Sequence, residues 1–489
     1  MGSSRLAKGA SPVFETKLEK SPGRTVQGVS QLHISVKLMA RGDQLLRPFM
    51  VSPVTSTFPG LAPWAFLSRP LGASFFTETR QLSDWLPASF KDDRERVAFL
   101  LLASSVASVM VSIAISQILL AATIAAAFWL RLRGRRMNPV WPSFGWPLLL
   151  FFAWSVLAAF VSPNPLQGLT IVKKFFIFLL LFLVPLIARG SSRIIWTYHA
   201  VFLLAAVSAV TGLGQFVANP QRDLLHRISG FMSQWMTYSG LQMLAIVALS
   251  AYAVCLGWRR WWVPPLTLLL FGSLFLTFTR NAWIGTLCGT AVVLMLKRPK
   301  AIACFAGLLC VLYLVAPTSI KQRVRTGLNT EDTTTRGRIE LAETSLRLIR
   351  HNPWFGVGPK SVNTEALRYR GGHDFPDWLY QHMHNNFLQL AAERGIPGLL
   401  LWLWLMGRLA WDSLRIFRSL DRKTPPGAVE LDRRPAMVAC IAALGAWVAL
   451  LVAGMFEYNF GDSEVLTLFL FLMSAPYAVC TRNGDASPE

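Results

Sequence analysis

The sequence predicts an all-α chain: a polytopic membrane helical bundle of about 12 transmembrane helices with one large outer loop containing an amphipathic helix. Three observations predict it. Hydrophobic residues make up 53% of the 489 positions and charged residues 15%, against about 45–50% and about 25% in soluble domains. Apolar runs long enough to cross the hydrocarbon layer recur from Val97 almost to the C-terminus. Lysine and arginine gather in the short breaks between these runs, so the net charge of +22 follows membrane topology. A nucleic-acid-binding chain would instead carry a basic patch or stripe on one face. No nucleic-acid partner is therefore expected; membrane lipids are.

Residues 1–96 mix Pro, Ser and scattered charges without a spanning run or a signal-peptide pattern. They read as a weakly ordered cytoplasmic N-terminal extension, unless translation starts downstream, for example at Met50. The membrane domain covers 97–480. Its apolar runs are 97–113, 115–131, 146–162, 171–188, 194–217, 237–257, 262–278, 281–296, 300–316, 387–412, 435–456 and 465–480. The first two are also compatible with one long bent helix. Residues 481–489 form a short tail.

Charge sets the orientation. One set of breaks holds Arg131, Arg133, Arg135, Arg136, Arg189, Arg193, Arg259, Arg260, Lys297, Arg298 and Lys300, and the stretch 408–434 adds seven more cations. The alternate short breaks hold only Lys173, Lys174, Arg222, Arg227 and Arg280. The cation-rich side is cytoplasmic, which puts both termini inside a multi-pass protein. The long connection 317–386 then lies outside. Within it, Thr333-Thr334-Thr335 precede a helical pattern with Ile339, Ala342, Leu346 and Ile349 on one face and Arg338, Glu340 and Arg347 opposite. This predicts an amphipathic helix lying on the outer membrane surface. Asn352-Pro353 ends it, and a Gly- and Pro-rich turn follows.

Cations on the sparse side are candidate ligands for anions. Arg280 sits in a very tight join between two spans. A planar guanidinium suits phosphate oxygens, although a snorkelling anchor is the alternative. Arg227 is the second such cation, while Arg222, Lys173 and Lys174 are supporting candidates that also suit lipid headgroups. Five of the seven histidines, His226, His351, His373, His382 and His384, fall in outer segments. His382 and His384 stand at the mouth of the tenth span, where a neutral imidazole can act as general base. Capping by Asn385 and interfacial packing of the histidines is the plainer reading. A metal set of His373, Asp374, Asp377, His382 and His384 fits no standard zinc spacing, so no metal is assigned. The six cysteines lie in or at the ends of apolar runs without ligand spacing. Nucleotide loops and the hydrolase motifs GxSxG and HExxH are absent.

The region 338–398 resembles the signature region of bacterial O-antigen ligases and O-antigen polymerases. The matching blocks are Asn352-Pro353-Trp354-Phe355-Gly356-Val357-Gly358-Pro359, His384-Asn385-Asn386-Phe387-Leu388-Gln389 and Glu393-Arg394-Gly395-Ile396-Pro397-Gly398. Thr279-Arg280-Asn281-Ala282-Trp283 and Arg227-Ile228-Ser229-Gly230-Phe231 resemble the family's outer-face arginine motifs. The resemblance covers roughly 97–480. It implies a metal-independent, inverting glycosyltransferase without a cofactor in the bacterial inner membrane, with loop 317–386 in the periplasm. The donor would be an undecaprenyl diphosphate-linked glycan. The acceptor would be lipid A core for a ligase in lipopolysaccharide biosynthesis, or another lipid-linked repeat for a polysaccharide polymerase. His384 would take the acceptor proton, with His382 as alternative base, and Arg227 and Arg280 would bind the diphosphate. A transporter of lipid-linked sugars is the competing reading of another class. The sequence lacks the internal repeat such proteins tend to show.

Overall fold

A computed structural model describes residues 90, 92–132, 141–219, 227–315, 321, 333–371, 375–421 and 433–480. All of them belong to one compact unit, Leu71–Glu489; the other, Met1–Pro70, lies outside them, as do most of the expected N-terminal extension and the tail after residue 480. Among the described residues the secondary structure is helical, without a strand.

Each of the twelve apolar runs is helical. In order they are α1 (Asp93–Ser108), α2 (Ile113–Leu132) and α3 (Gly145–Val161); α4 (Pro165–Ile187), an irregular helix that tightens to 3-10 geometry over Phe176–Leu179; and α5 (Ser191–Ala218), α6 (Trp235–Leu256), α7 (Val263–Leu276), α8 (Arg280–Lys297) and α9 (Ala301–Val315). The outer connection contributes α10 (Thr333–His351) and α11 (Val362–Tyr369); then come α12 (Asn386–Asp421), α13 (Arg433–Ala453) and α14 (Ser463–Cys480). By length and composition six qualify as membrane spans: α2, α4, α5, α6, α13 and α14. The helices α3, α7 and α9 are apolar but shorter. The first two runs are separate helices, joined where Ser105 and Ser116 exchange side-chain hydrogen bonds of 2.8 and 2.7 Å to each other's carbonyls.

Burial separates centre from periphery. The hydrophobic window of α13 is 78% buried and that of α2 only 28%. The central helices approach closely because small residues line their contact. A Cβ on Gly285 of α8 would lie 2.8 Å from the Ala449 carbonyl of α13, and one on Gly289 would lie 2.7 Å from the Gly445 carbonyl. Where lipid offers no hydrophobic drive between helices, close packing of small residues supplies the contact energy.

Two features go beyond the sequence expectation. First, α12 continues to Asp421 rather than ending near residue 412. Arg408, expected in a cytoplasmic break, pairs with Asp412 at 3.1 Å one turn on, and Asp412 also accepts bonds from Tyr477 and Ser143. Paired charges let the helix run on. Second, α10 buries Glu340, Leu341, Thr344, Ser345 and Leu348, and leaves Ile339 and Leu346 45% and 47% exposed. The apolar residues expected on the membrane side, Ile339 and Leu346, are thus left uncovered by protein, and the opposite side of the helix packs inward. Burial of Glu340 is offset at Oε1, which accepts bonds from Thr344 (3.0 Å), the Gly371 amide (2.7 Å) and Tyr380 (3.3 Å). Leu341 and Leu348 join Val357, Val362, Ala366, Tyr380, Met383 and Ala392 in a second hydrophobic cluster, distinct from the main core.

Helix α12 is interrupted at Gly395, where φ is 70° and ψ 178°, and Pro397 follows with no N–H to donate to Glu393. The freed carbonyls are taken by the turn after α10. Val357 N donates to Ala392 O at 2.9 Å and Gly358 N to Glu393 O at 3.0 Å, while Ile396 N donates to Pro353 O at 2.8 Å. The glycines permit this clasp: a Cβ on Gly395 would sit 2.0 Å from the Trp354 carbonyl oxygen. The φ/ψ of Gly395 is open essentially to glycine alone and costs other residues roughly 1–3 kcal/mol before any clash. Gly395→Ala is therefore expected to abolish monodisperse folded protein on detergent size-exclusion chromatography. Gly407→Ala, in open space on the same helix, should be neutral or stabilising by up to about 1 kcal/mol; equal behaviour of the two would contradict the clasp.

Candidate active site at the mouth of the tenth apolar helix

The site is built on the start of α12. Asn385 caps the helix, its Oδ1 accepting from Phe387 N (2.8 Å) and Leu388 N (3.0 Å), and its Nδ2 donating to Met455 O at 2.9 Å. Asn386 clamps the same turn. Its amide donates to Gly454 O at 2.7 Å, its side chain donates to Asn459 Oδ1 at 2.7 Å, and it accepts from Phe460 N at 3.1 Å. Gly454 is required because a Cβ there would meet Asn386 Nδ2 at 2.1 Å. The two asparagines thus fasten the helix mouth to the 454–460 turn, which carries Glu457.

Glu457 is 5% exposed and lies between two imidazoles. His384 Nδ1 is 2.9 Å from one carboxylate oxygen and His382 Nε2 is 3.0 Å from the other. The ring centroids are 4.1 Å apart. Burial pushes the Glu457 carboxyl upward, but the hydrogen bonds and charge of the two histidines outweigh it and hold the group well below the carboxylate range. Burial lowers His382, and the bond and charge of Glu457 reverse this, so its net shift is upward. His384 has φ of 44°, a left-handed conformation that bulky residues rarely adopt. Phe278 and Lys360 are the other described non-glycine residues with positive φ.

A second polar chain supports the first. The Met383 amide donates to Gln389 Oε1 at 2.8 Å, and Gln389 Nε2 donates to Glu393 at 2.9 Å. Glu393 is also paired with the buried Arg394, whose Nε donates to Ser155 of α3 at 3.1 Å. The conformation of the histidine loop is therefore tied to the broken segment of α12.

The sequence candidates distribute as follows. His384 and His382 meet on Glu457, which the sequence reading missed. Its only signal is an acidic residue at the end of the eleventh run, 73 positions from His384. The half-buried Arg227 stacks over Trp235, the first residue of α6, at 5.2 Å. Arg280 opens α8 after a three-residue join, with Phe278 beside it at φ 51°. Lys174 donates to the Gly461 carbonyl, whereas Lys173 is exposed. Arg222, His226, His373 and Asp374 lie outside the described residues; Asp377 pairs with Arg370 at 3.1 Å. Helix contacts relate these positions. Thr237, on the first turn of α6, donates to Asp462 at 3.1 Å, and Gly285 of α8 packs level with Ala449 and Ala453 of α13. The starts of α6, α8, α12 and α14 and the end of α13 therefore share one end of the bundle, with Arg227, Arg280, His384 and Glu457 on it. The donor atoms of His382, His384 and Glu457 lie within 4.8 Å of one another, a spacing a metal ion can use.

Asp462 borders this cluster. Burial, and then the charges of Glu457 and Glu464, push its carboxyl up to about 7 from an ordinary 3.8, against a bond from Thr237 and the charge of Lys174. The folded chain holds this proton more tightly than the unfolded chain. The contribution to stability is therefore fully present below about pH 4 and is lost as the pH rises to about 7. Asp462→Asn should raise the thermal midpoint over wild type at pH 8 and change it little at pH 5. Equal shifts at both pH values would show that ionisation of Asp462 carries no cost.

No curated protein matches the chain significantly. A family model described as O-Antigen ligase matches residues 265–403, the segment that holds Arg280, the clasped turn, both histidines and the broken helix. That match supports membership of the O-antigen ligase family and, with the apolar helices, a membrane enzyme of the ligase or polymerase type.

Proposed function

We propose that the chain is a lipopolysaccharide O-antigen ligase. In this reading it moves a glycan from an undecaprenyl diphosphate carrier to a sugar hydroxyl of lipid A core, at the periplasmic face of the bacterial inner membrane. The single observation that carries the reading is the His384–Glu457 bond of 2.9 Å at the helix mouth. With Nδ1–H donated to the carboxylate, Nε2 of a neutral imidazole is left as an acceptor. A sugar hydroxyl is a poor nucleophile until its proton is taken. His384 Nε2 removes that proton as the oxygen attacks the anomeric carbon from the face opposite the diphosphate. The anomeric C–O bond breaks, the configuration inverts and the diphosphate leaves. Buried Glu457 stabilises the imidazolium that forms, as a base-orienting carboxylate does.

The leaving diphosphate gains charge as the bond breaks. Fixed guanidinium groups in a water-poor site stabilise that charge without reorganising. Arg227 and Arg280 are proposed for this role, and their position at the end of the bundle that holds Glu457 supports it. Lys174, at the same end, is a supporting cation. The asymmetry of Lys and Arg between alternate breaks supports a periplasmic orientation for this end.

Three outcomes test the reading with purified protein, lipid-linked donor and acceptor. His384→Ala should lower transfer by about 10²–10⁴-fold with unchanged protein level and elution; wild-type turnover would move the base to His382. Arg280→Lys should be strongly impaired, because a point charge cannot replace a two-pronged contact, and full activity would reduce Arg280 to an anchor. Transfer should persist in EDTA. In a deletion strain, mass analysis should find long glycans left on the carrier beside bare lipid A core; single capped repeats would instead identify a polymerase.

A further inference from the structure

We propose that His382, His384 and Glu457 also form a binding site for a divalent transition-metal ion of the zinc class, and that filling it disables the base. The inhibitory half rests on the assignment of His384 above; the binding half does not.

The donor set is the starting point. Nε2 of His382, Nδ1 of His384 and a carboxylate oxygen of Glu457 lie within 4.8 Å of one another, and the two nitrogen–oxygen separations are 3.0 and 2.9 Å. Zinc bound at about 2.0–2.2 Å to each ligand in a tetrahedron spaces the ligand atoms roughly 3.4 Å apart. The two hydrogen-bonded pairs, each on its own oxygen of Glu457, open by a few tenths of an ångström, and the widest pair, within 4.8 Å, closes by up to about 1.4 Å to reach that spacing. Two imidazoles and one carboxylate, with a fourth position open, is a zinc-type set. Magnesium and calcium prefer six or more oxygens and do not suit it.

The ligands are also held in place. Asn385 and Asn386 fasten the histidine loop to the turn that carries Glu457, and Met383, between the histidines, is fixed through its amide by Gln389. An ion has a way in, because the His382 side chain is 34% exposed.

Exclusion of the base follows from proton counting. A neutral imidazole carries one N–H. In the metal-free site that proton sits on His384 Nδ1, facing Glu457, and Nε2 has the free lone pair. When a metal takes the Nδ1 lone pair, the proton moves to Nε2. Nε2 then donates and cannot accept the hydroxyl proton. Metal occupancy and base catalysis use the His384 ring in opposite tautomers, and on that ring no net proton is gained or lost.

The test uses full-length protein without a polyhistidine tag, purified in detergent and stripped with EDTA. Zinc titration by calorimetry should find one site per chain. Zinc should raise the thermal midpoint, and cobalt should give the visible absorption of a four-coordinate site. Glu457→Gln and His382→Ala should each weaken binding by more than the roughly 10–100-fold typical of a second-shell change, while His351→Ala retains it. Elution profiles check folding, and His382→Ala keeps the test decisive if Glu457→Gln aggregates. Stoichiometric zinc should stop transfer, and chelation should restore it. Absence of saturable micromolar binding, or binding untouched by both ligand variants, overturns the site. Binding with undiminished transfer overturns the exclusion. Activity lost in EDTA and restored by zinc would keep the site but overturn both the inhibition and the base assignment under Proposed function.

Discussion

The arrangement of this end of the molecule depends on a broken helix. Gly395 turns the chain out of helical geometry, and Pro397 removes the amide that Glu393 O would otherwise accept from. Buried carbonyls without partners cost of order a hydrogen bond each. The Pro353–Gly358 turn supplies the missing donors and, in doing so, is welded to α12. From that junction Glu393 reaches Gln389, Gln389 reaches the Met383 amide, and the histidine loop is fixed. Residues of the signature blocks distant from the histidines are thus linked to the histidine loop through backbone and side-chain hydrogen bonds.

A buried carboxylate is the second constraint. An isolated ionised Glu457 would be expensive in this setting. Two imidazoles make it acceptable, and the carboxylate in return fixes their rings and tautomers. The left-handed backbone at His384 is strain that the surrounding bonds over-determine, a pattern frequent at functional sites. One interaction therefore holds a buried carboxylate and two imidazoles together, and the proposed base chemistry and the proposed zinc site both draw on it.

Much of the fold was legible because lipid as solvent allows few solutions. Each of the twelve apolar runs holds a helix, and six of the described helices are long and apolar enough to span, since backbone polar groups in hydrocarbon must be satisfied within the segment. Local signals were also legible where they act over short range, as with the capping of α12 by Asn385 and the tight join at Arg280, which the structure places as the first residue of α8. Periodicity located α10 and the apolar residues Ile339 and Leu346 that protein leaves uncovered, but not the pocket that buries Glu340, a charge that hydrophobic pattern alone assigns to water. The length of α12 was underestimated for a related reason. Arg408 reads as a helix-ending cation until Asp412, Tyr477 and Ser143 are found beside it.

The sequence by itself determined the helical class, the asymmetry of positive charge, the blocks that match the O-antigen ligase family, and the two histidines with their capping asparagine. These are properties of residue type and short spacing. Tertiary structure alone decided that Glu457, 73 positions away, is the group both imidazoles address. It also decided that the turn rich in glycine completes a broken helix, and that four helix starts meet at one end. The physical reason is that such partnerships depend on which buried polar atoms remain unsatisfied once the helices have packed, and that cannot be known before the packing itself.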